Sequence, residues 1–144
     1  MMKALVIDQF GGSNIFREAD LPIPLILPHH VLIRVAATSI NPVDLKIRQG
    51  LVADITPALP AVLHGDVAGT VKAVGVGVND FQVGDEVYAC AGGVKGLGGA
   101  LAEYMLVDAN LACGGTKWFR MLILQRVWQF VVKEKEHSFA TSSI

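Results

Sequence analysis

The side chains that could do chemistry are a few histidines, two cysteines, the carboxylates near them, and glycines spaced closely enough to suggest a phosphate cradle. His64-Gly65-Asp66 sets an imidazole and a carboxylate in one Gly-rich turn, a pairing that serves general acid–base work. A lone His–Asp proximity is more often a plain hydrogen bond, so both uses stand at this point. His29, His30, His64, His137, Cys90 and Cys113 are the candidate metal ligands. No Cys-x-x-Cys, His-x-x-x-His or His-Glu-x-x-His spacing joins them, so they read as loop and surface histidines and reduced thiols, with no metal. On a strand, adjacent His29 and His30 would point to opposite faces. The glycines fail the nucleotide test. A dinucleotide fingerprint needs Gly-x-Gly-x-x-Gly at a strand-to-helix turn. Here Gly75-Val76-Gly77 meets Asp80 at the third glycine position, and Gly96-Leu97-Gly98 meets Leu101. The P-loop ending Gly-Lys-Ser/Thr is absent too.

The elements that must position these groups are short. Gly and Pro punctuate runs rich in Val, Ile and Ala, the pattern of strands joined by turns. Strands are expected at Lys3 to Asp8, Val31 to Ser39, Val67 to Val76, Glu86 to Ala89 and Leu101 to Val107. In the second of these, Val31, Ile33, Val35 and Ala37 share one face and Leu32, Arg34 and Ala36 the other. Pro22, Pro24 and Pro28 keep their segment extended and irregular. Asn41-Pro42-Val43-Asp44 is a helix start, with Asn as cap, Pro at the first helical position and Asp in the first turn. Gly50 is placed to end that helix after Gln49. The expected fold is mainly β with a few short helices, arranged as a partly open β-barrel or sandwich.

Composition narrows the partners. The chain has 144 residues, 52% hydrophobic and 17% charged, with a net charge of -1. Disorder needs the opposite balance, and nucleic acid would call for a basic patch or stripe. No run approaches the roughly 20 apolar residues that span a bilayer, and the start is too short for a secretory signal. A cytoplasmic protein without membrane attachment is expected. The text changes at Asn110: residues 1–110 hold 7 Lys and Arg against 11 Asp and Glu, with all 6 Pro, whereas residues 111–144 hold 5 against 2 and no Pro.

With Asn41-Pro42-Val43-Asp44 and His64-Gly65-Asp66-Val67-Ala68-Gly69, the chain resembles the medium-chain dehydrogenase/reductase superfamily. More narrowly, it is similar to the quinone-oxidoreductase-like and zinc-type-alcohol-dehydrogenase-like members. Leu59-Pro60, Val74-Gly75, Gly84-Asp85, Gly99-Ala100 and Glu103-Tyr104 follow in family order, so the likeness runs from about Met2 to Leu111. It implies a GroES-like catalytic domain over residues 1–110, normally followed by a Rossmann domain that binds NADP or NAD. Zinc-dependent relatives carry Cys where Asn41 stands, and His-Glu where Gly65-Asp66 stands. The implied enzyme is therefore an NADPH-dependent, zinc-independent oxidoreductase that passes hydride to a small quinone, an enone or a related aldehyde.

Without a Lewis acid, charge on the substrate oxygen must be met by hydrogen-bond donors. The resemblance implies Asn41 and Asp44 as catalytic residues, and Asn41, Pro42 and Lys46 as those that meet the cofactor. Asn41 would donate to a carbonyl oxygen or fix the nicotinamide amide. Asp44 would orient the turn, or hold Lys46 or a ribose hydroxyl. His64, Gly65 and Asp66 form the expected cleft turn, with Asp66 also readable as an ordinary turn or salt-bridge carboxylate. Asn41 and Asp44 also suit a plain helix start.

Residues 111–144 do not fit the family pattern and read as the tail of a frameshifted or truncated product. Trp118, Met121, Leu122, Leu124, Val127, Trp128, Val131 and Val132 recur at helical spacing, so an amphipathic helix is expected from about Lys117 to Glu136. Its apolar face would drive self-association into a homo-oligomer. The alternative to an enzyme is a truncated, non-catalytic GroES-like domain that binds no cofactor on its own.

Overall fold

The computed structural model describes residues 1–114, and the helix expected between Lys117 and Glu136 lies outside them. The described part is built from two antiparallel sheets. Strands β1 (Met2–Ile7), β2 (Phe16–Leu21) and β4 (Ala61–Val62) form the smaller, in the order β2-β1-β4. The larger comprises β3 (His30–Ala37), β5 (Asp66–Val74), β6 (Glu86–Cys90), β7 (Tyr104–Asp108) and β8 (Ala112–Gly114), in the order β7-β3-β5-β6-β8. A bridge from Ala4 to Ala102 and the bond from Leu5 N–H to the Leu101 carbonyl (2.8 Å) join the two sheets. The result is the mainly β, half-barrel arrangement expected of a GroES-like domain, with α1 (Pro42–Arg48) inserted after β3.

Alternation explains the larger sheet. Val31 and Ile33 on β3, Val71 on β5, Val87 on β6, and Met105 and Val107 on β7 point inward and form the main core. Each such side chain contributes roughly 1.5–3 kcal/mol by leaving water. Leu32, expected on the opposite face, is buried as well, and the β3–β5 register shifts between Leu32 and Ile33. The extra residue there is Lys72 on β5, so the alternation of β3 itself is unbroken. A second cluster, Ile7, Ile47, Ala61 and Leu63, fastens α1 to the smaller sheet.

Three strands differ from the sequence expectation: β2, β4 and β8, the last of which pairs with Val87–Ala89 of β6 and so carries the sheet past the break placed at Asn110. Phe16–Leu21 carries Arg17, Glu18 and Asp20 and shows no apolar alternation, yet it pairs along the whole of β1 and braces the pairing with an Arg17–Asp8 ion pair. Charges of this kind are how sheet edges are kept from pairing further. β4 is only two residues long. His29 also needs correcting: it does not share a strand with His30 but occupies a left-handed turn (φ 61), its ring lying against the bare backbone of Gly77.

Candidate functional site

The site begins where β3 runs out. Asn41 is still extended (φ -105, ψ 156), and Pro42 then starts α1 with its ring-fixed φ. Asn41 and Asp44 form a capping box, whose well-formed half is the bond from the Asn41 backbone N–H to Asp44 Oδ2 at 2.7 Å. That use accounts for the burial of Asp44, only 4% exposed. The helix closes on Gly50 (φ 74), with Gly50 N–H bonded to the Ile47 carbonyl and Leu51 N–H to the Lys46 carbonyl, both 2.9 Å. This is a Schellman stop. A seven-residue helix is thus defined at both ends, and Asn41 is held at its entrance.

Asp66, the first residue of β5, is the hub. Its Oδ2 accepts from the Ser39 hydroxyl and from Asn41 Nδ2 at 2.8 Å. The thiol of Cys90, its cross-strand partner on β6, donates to the same carboxylate. The Asp66 backbone carbonyl accepts from Thr38 Oγ1 at 2.7 Å. His64 is buried in a left-handed conformation (φ 72), with Nδ1 3.5 Å from Thr38 Oγ1. Room for this turn comes from glycines: a methyl at Gly65 would sit 2.9 Å from the Gly92 carbonyl oxygen, and one at Gly93 would sit 2.7 Å from the His64 backbone.

Electrostatics follow the geometry. Burial, the largest single influence, pushes the Asp66 carboxyl up, but the hydrogen bonds from Ser39, Asn41 and Cys90, with the charge of His64, outweigh it. The group titrates below its ordinary 3.8. The bond to Asp66, then burial and the charges of Asp66 and Asp44, push the Cys90 thiol above its ordinary value. A carboxylate depressed in the folded state stabilises the fold fully above its unfolded value of 3.8, and that contribution is lost as pH falls through the folded value. Urea midpoints taken at roughly pH 6 and pH 3 should therefore fall further for the wild type than for Asp66→Asn. Parallel losses would refute the assignment.

The cleft-turn residues His64, Gly65 and Asp66 thus come together with Asn41, and Asp44 lies one helical turn beyond. Lys46 does not join them: it is exposed, and its side chain makes no hydrogen bond or ion pair among the described residues. Asp44 accordingly orients the turn and does not hold Lys46. The partners of Asp66 are the donors Ser39, Asn41 and Cys90, together with the charge of the nearby His64 imidazole. Sequence reasoning missed Thr38, Ser39 and Cys90. Ser39 had a usable signal, since in an extended segment it shares a side with Asn41. Cys90 had none until the β5–β6 register was known. No group of three or more His, Cys, Asp or Glu among the described residues is arranged to hold a metal, and no helix among them is long and apolar enough to cross a membrane.

A family profile, the alcohol dehydrogenase GroES-like domain, matches residues 27–114. This chain belongs to that family. As a GroES-like domain it is 42% identical over 116 residues to the NADPH-dependent alkenal/one oxidoreductase, chloroplastic, of Arabidopsis thaliana, covering 76% of this chain and 30% of that protein. It is 40% identical over 107 residues to the quinone oxidoreductase of Sus scrofa, covering 74% and 31%. Among solved structures, an alcohol dehydrogenase superfamily protein from Novosphingobium aromaticivorans superposes with a TM-score of 0.74 at 41% identity, covering 79% of this chain and 34% of that one. The GroES-like chain therefore spans about a third of the length of these relatives, and they place it in an oxidoreductase family.

Proposed function

We propose that this chain is the catalytic domain of an NADPH-dependent, zinc-independent reductase acting on small quinones, enones or related aldehydes. The observation that carries the reading is the Asn41 amide, fixed at the entrance of α1 by Asp66. It offers an N–H donor where zinc-dependent relatives carry a sulfur ligand, while Gly65 offers no side chain at all. Ile40 and Val43, each 40% exposed, flank Asn41 with apolar surface suited to such substrates. The names of the two curated relatives, an alkenal/one oxidoreductase and a quinone oxidoreductase, agree with it.

NADPH, when bound, supplies the hydride. Asn41 Nδ2–H meets the oxygen on which negative charge develops, and Asp44 keeps the turn carrying Asn41 in place. Asn41 and Pro42 would meet the nicotinamide end of the cofactor, and Lys46, exposed on α1 away from the hub, would reach it only from outside. The phosphates find no cradle among the described residues, because Gly75-Val76-Gly77 closes a turn after β5 and Gly96-Leu97-Gly98 lies in the loop between β6 and β7. The two free cysteines, Cys90 and Cys113, support a reducing, cytoplasmic setting.

The missing cradle favours a second reading, a GroES-like domain that binds no cofactor by itself. Titrating the purified chain with NADPH and following nicotinamide fluorescence separates the two. A saturable change supports the reductase, and a flat titration selects the second reading. With turnover in hand, Asn41→Ala should lower kcat by roughly a hundredfold, the worth of one donor to a developing oxyanion, with a smaller change in affinity. Unchanged turnover would remove Asn41 from the site.

A further inference from the structure

A side-chain amide can present either its NH2 or its oxygen to a neighbour, and the hydrogen-bond network decides which. An ionised carboxylate only accepts. Asp66 faces the Asn41 amide at 2.8 Å, so Asn41 must turn Nδ2 toward it, with Oδ1 on the side of the Asp44 backbone N–H in the capping box. One of the two Nδ2 hydrogens is then committed to Asp66. Ser39 and Cys90 donate to the same carboxylate from the end of the β3 connection and from β6, and so keep it from rotating away.

We propose that Asp66, pinned by Ser39 and Cys90, is the positioning residue that fixes the Asn41 amide with one N–H left for a ligand. The site therefore selects a carbonyl or quinone oxygen and rejects a group that offers only donors. The identity of that ligand rests on the reductase reading; the orientation of the amide does not. Asp66→Asn keeps the shape but can itself donate, which frees Asn41 to flip. Asp66→Glu keeps the acceptor.

Side-chain amide signals of a 15N-labelled chain test this. In the wild type, the Asn41 pair should show one proton shifted downfield and exchanging about tenfold or more slowly than in an exposed asparagine such as Asn79, as a bond to a charged acceptor requires. Asp66→Asn should abolish the signature, and Asp66→Glu should restore part of it. Backbone dispersion reports whether each variant folds. Should Asp66→Asn fail to fold, Ser39→Ala with Cys90→Ala replaces it and should weaken the protection. Cyclohexanone, an acceptor without donors, should shift the remaining Nδ2 proton, whereas cyclohexylammonium should not. An Asn41 pair that exchanges like Asn79 in the wild type, or one unchanged in a folded Asp66→Asn chain, overturns the orientation. No response to cyclohexanone overturns the ligand selection. A chain with the signature but no NADPH response fails as a reductase alone while the orientation stands.

Discussion

Gly99→Ala is expected to cost about 4–5 kcal/mol, or to prevent folding altogether, which places it among the most damaging single changes this domain could suffer. A methyl at Gly99 would overlap the carbonyl of Leu63, and that of Val62 lies almost as near. Both obstacles are backbone, so no rotamer change relieves them. Nor can the backbone retreat. Leu63 is fully buried, its carbonyl accepts from Leu101 N–H at 3.2 Å, and that of His64 accepts from Ala100 N–H at 2.9 Å. Pushing residue 63 outward would drag the His64-Gly65-Asp66 turn with it. Gly98 is the control, because a methyl there meets nothing within 4 Å and its φ is not left-handed. Gly98→Ala should change stability by no more than about 0.5 kcal/mol. Urea denaturation of the pair decides the matter, and a Gly99→Ala loss below about 1 kcal/mol would show that the two segments approach less closely than described.

Ile47→Ala is expected to cost about 2–5 kcal/mol and to loosen the site as well as the fold. Ile47 is the buried apolar anchor of α1, 1% exposed against Ile7, Ala61 and Leu63, whereas Leu45 on the same helix is 42% exposed. Seven residues are too few for a helix to hold itself in water, so packing at Ile47 decides whether α1 persists. Because Asn41 N–H is bonded to Asp44, its amide exchange should accelerate with the loss of the helix. Leu45→Ala should leave both stability and exchange nearly as they were. An Ile47→Ala chain that keeps wild-type protection at Asn41 would mean that Asp66 alone holds the turn.

How much of this was legible beforehand differs by element, for physical reasons. The helix at 42–48 was readable because both its start and its stop are local chemistry, Asn-Pro-x-Asp and a left-handed glycine. The main strands were readable from their apolar alternation, with ends displaced by one to three residues, the most at the start of β7. β2 was not readable, since an edge strand braced by charged residues leaves no hydrophobic period. The hub at Asp66 was hardest. Its three donors come from two separate segments, Ser39 and Asn41 before α1 and Cys90 on β6, and only the pairing of β3, β5 and β6 brings them to one carboxylate. Asp66 was therefore noticed for its neighbour His64, while the partners that set its charge went unseen.

The thiol held by Asp66 bears on durability. Cysteine reacts with oxidants and electrophiles as its thiolate. Cys90 is exposed, yet its bond to Asp66 keeps the proton on sulfur. At neutral pH its thiolate fraction is smaller than that of an ordinary surface cysteine, so sulfenylation and alkylation are expected to be slower there than at such a cysteine. The carboxylate that orders the amide thus also passivates the sulfur beside it.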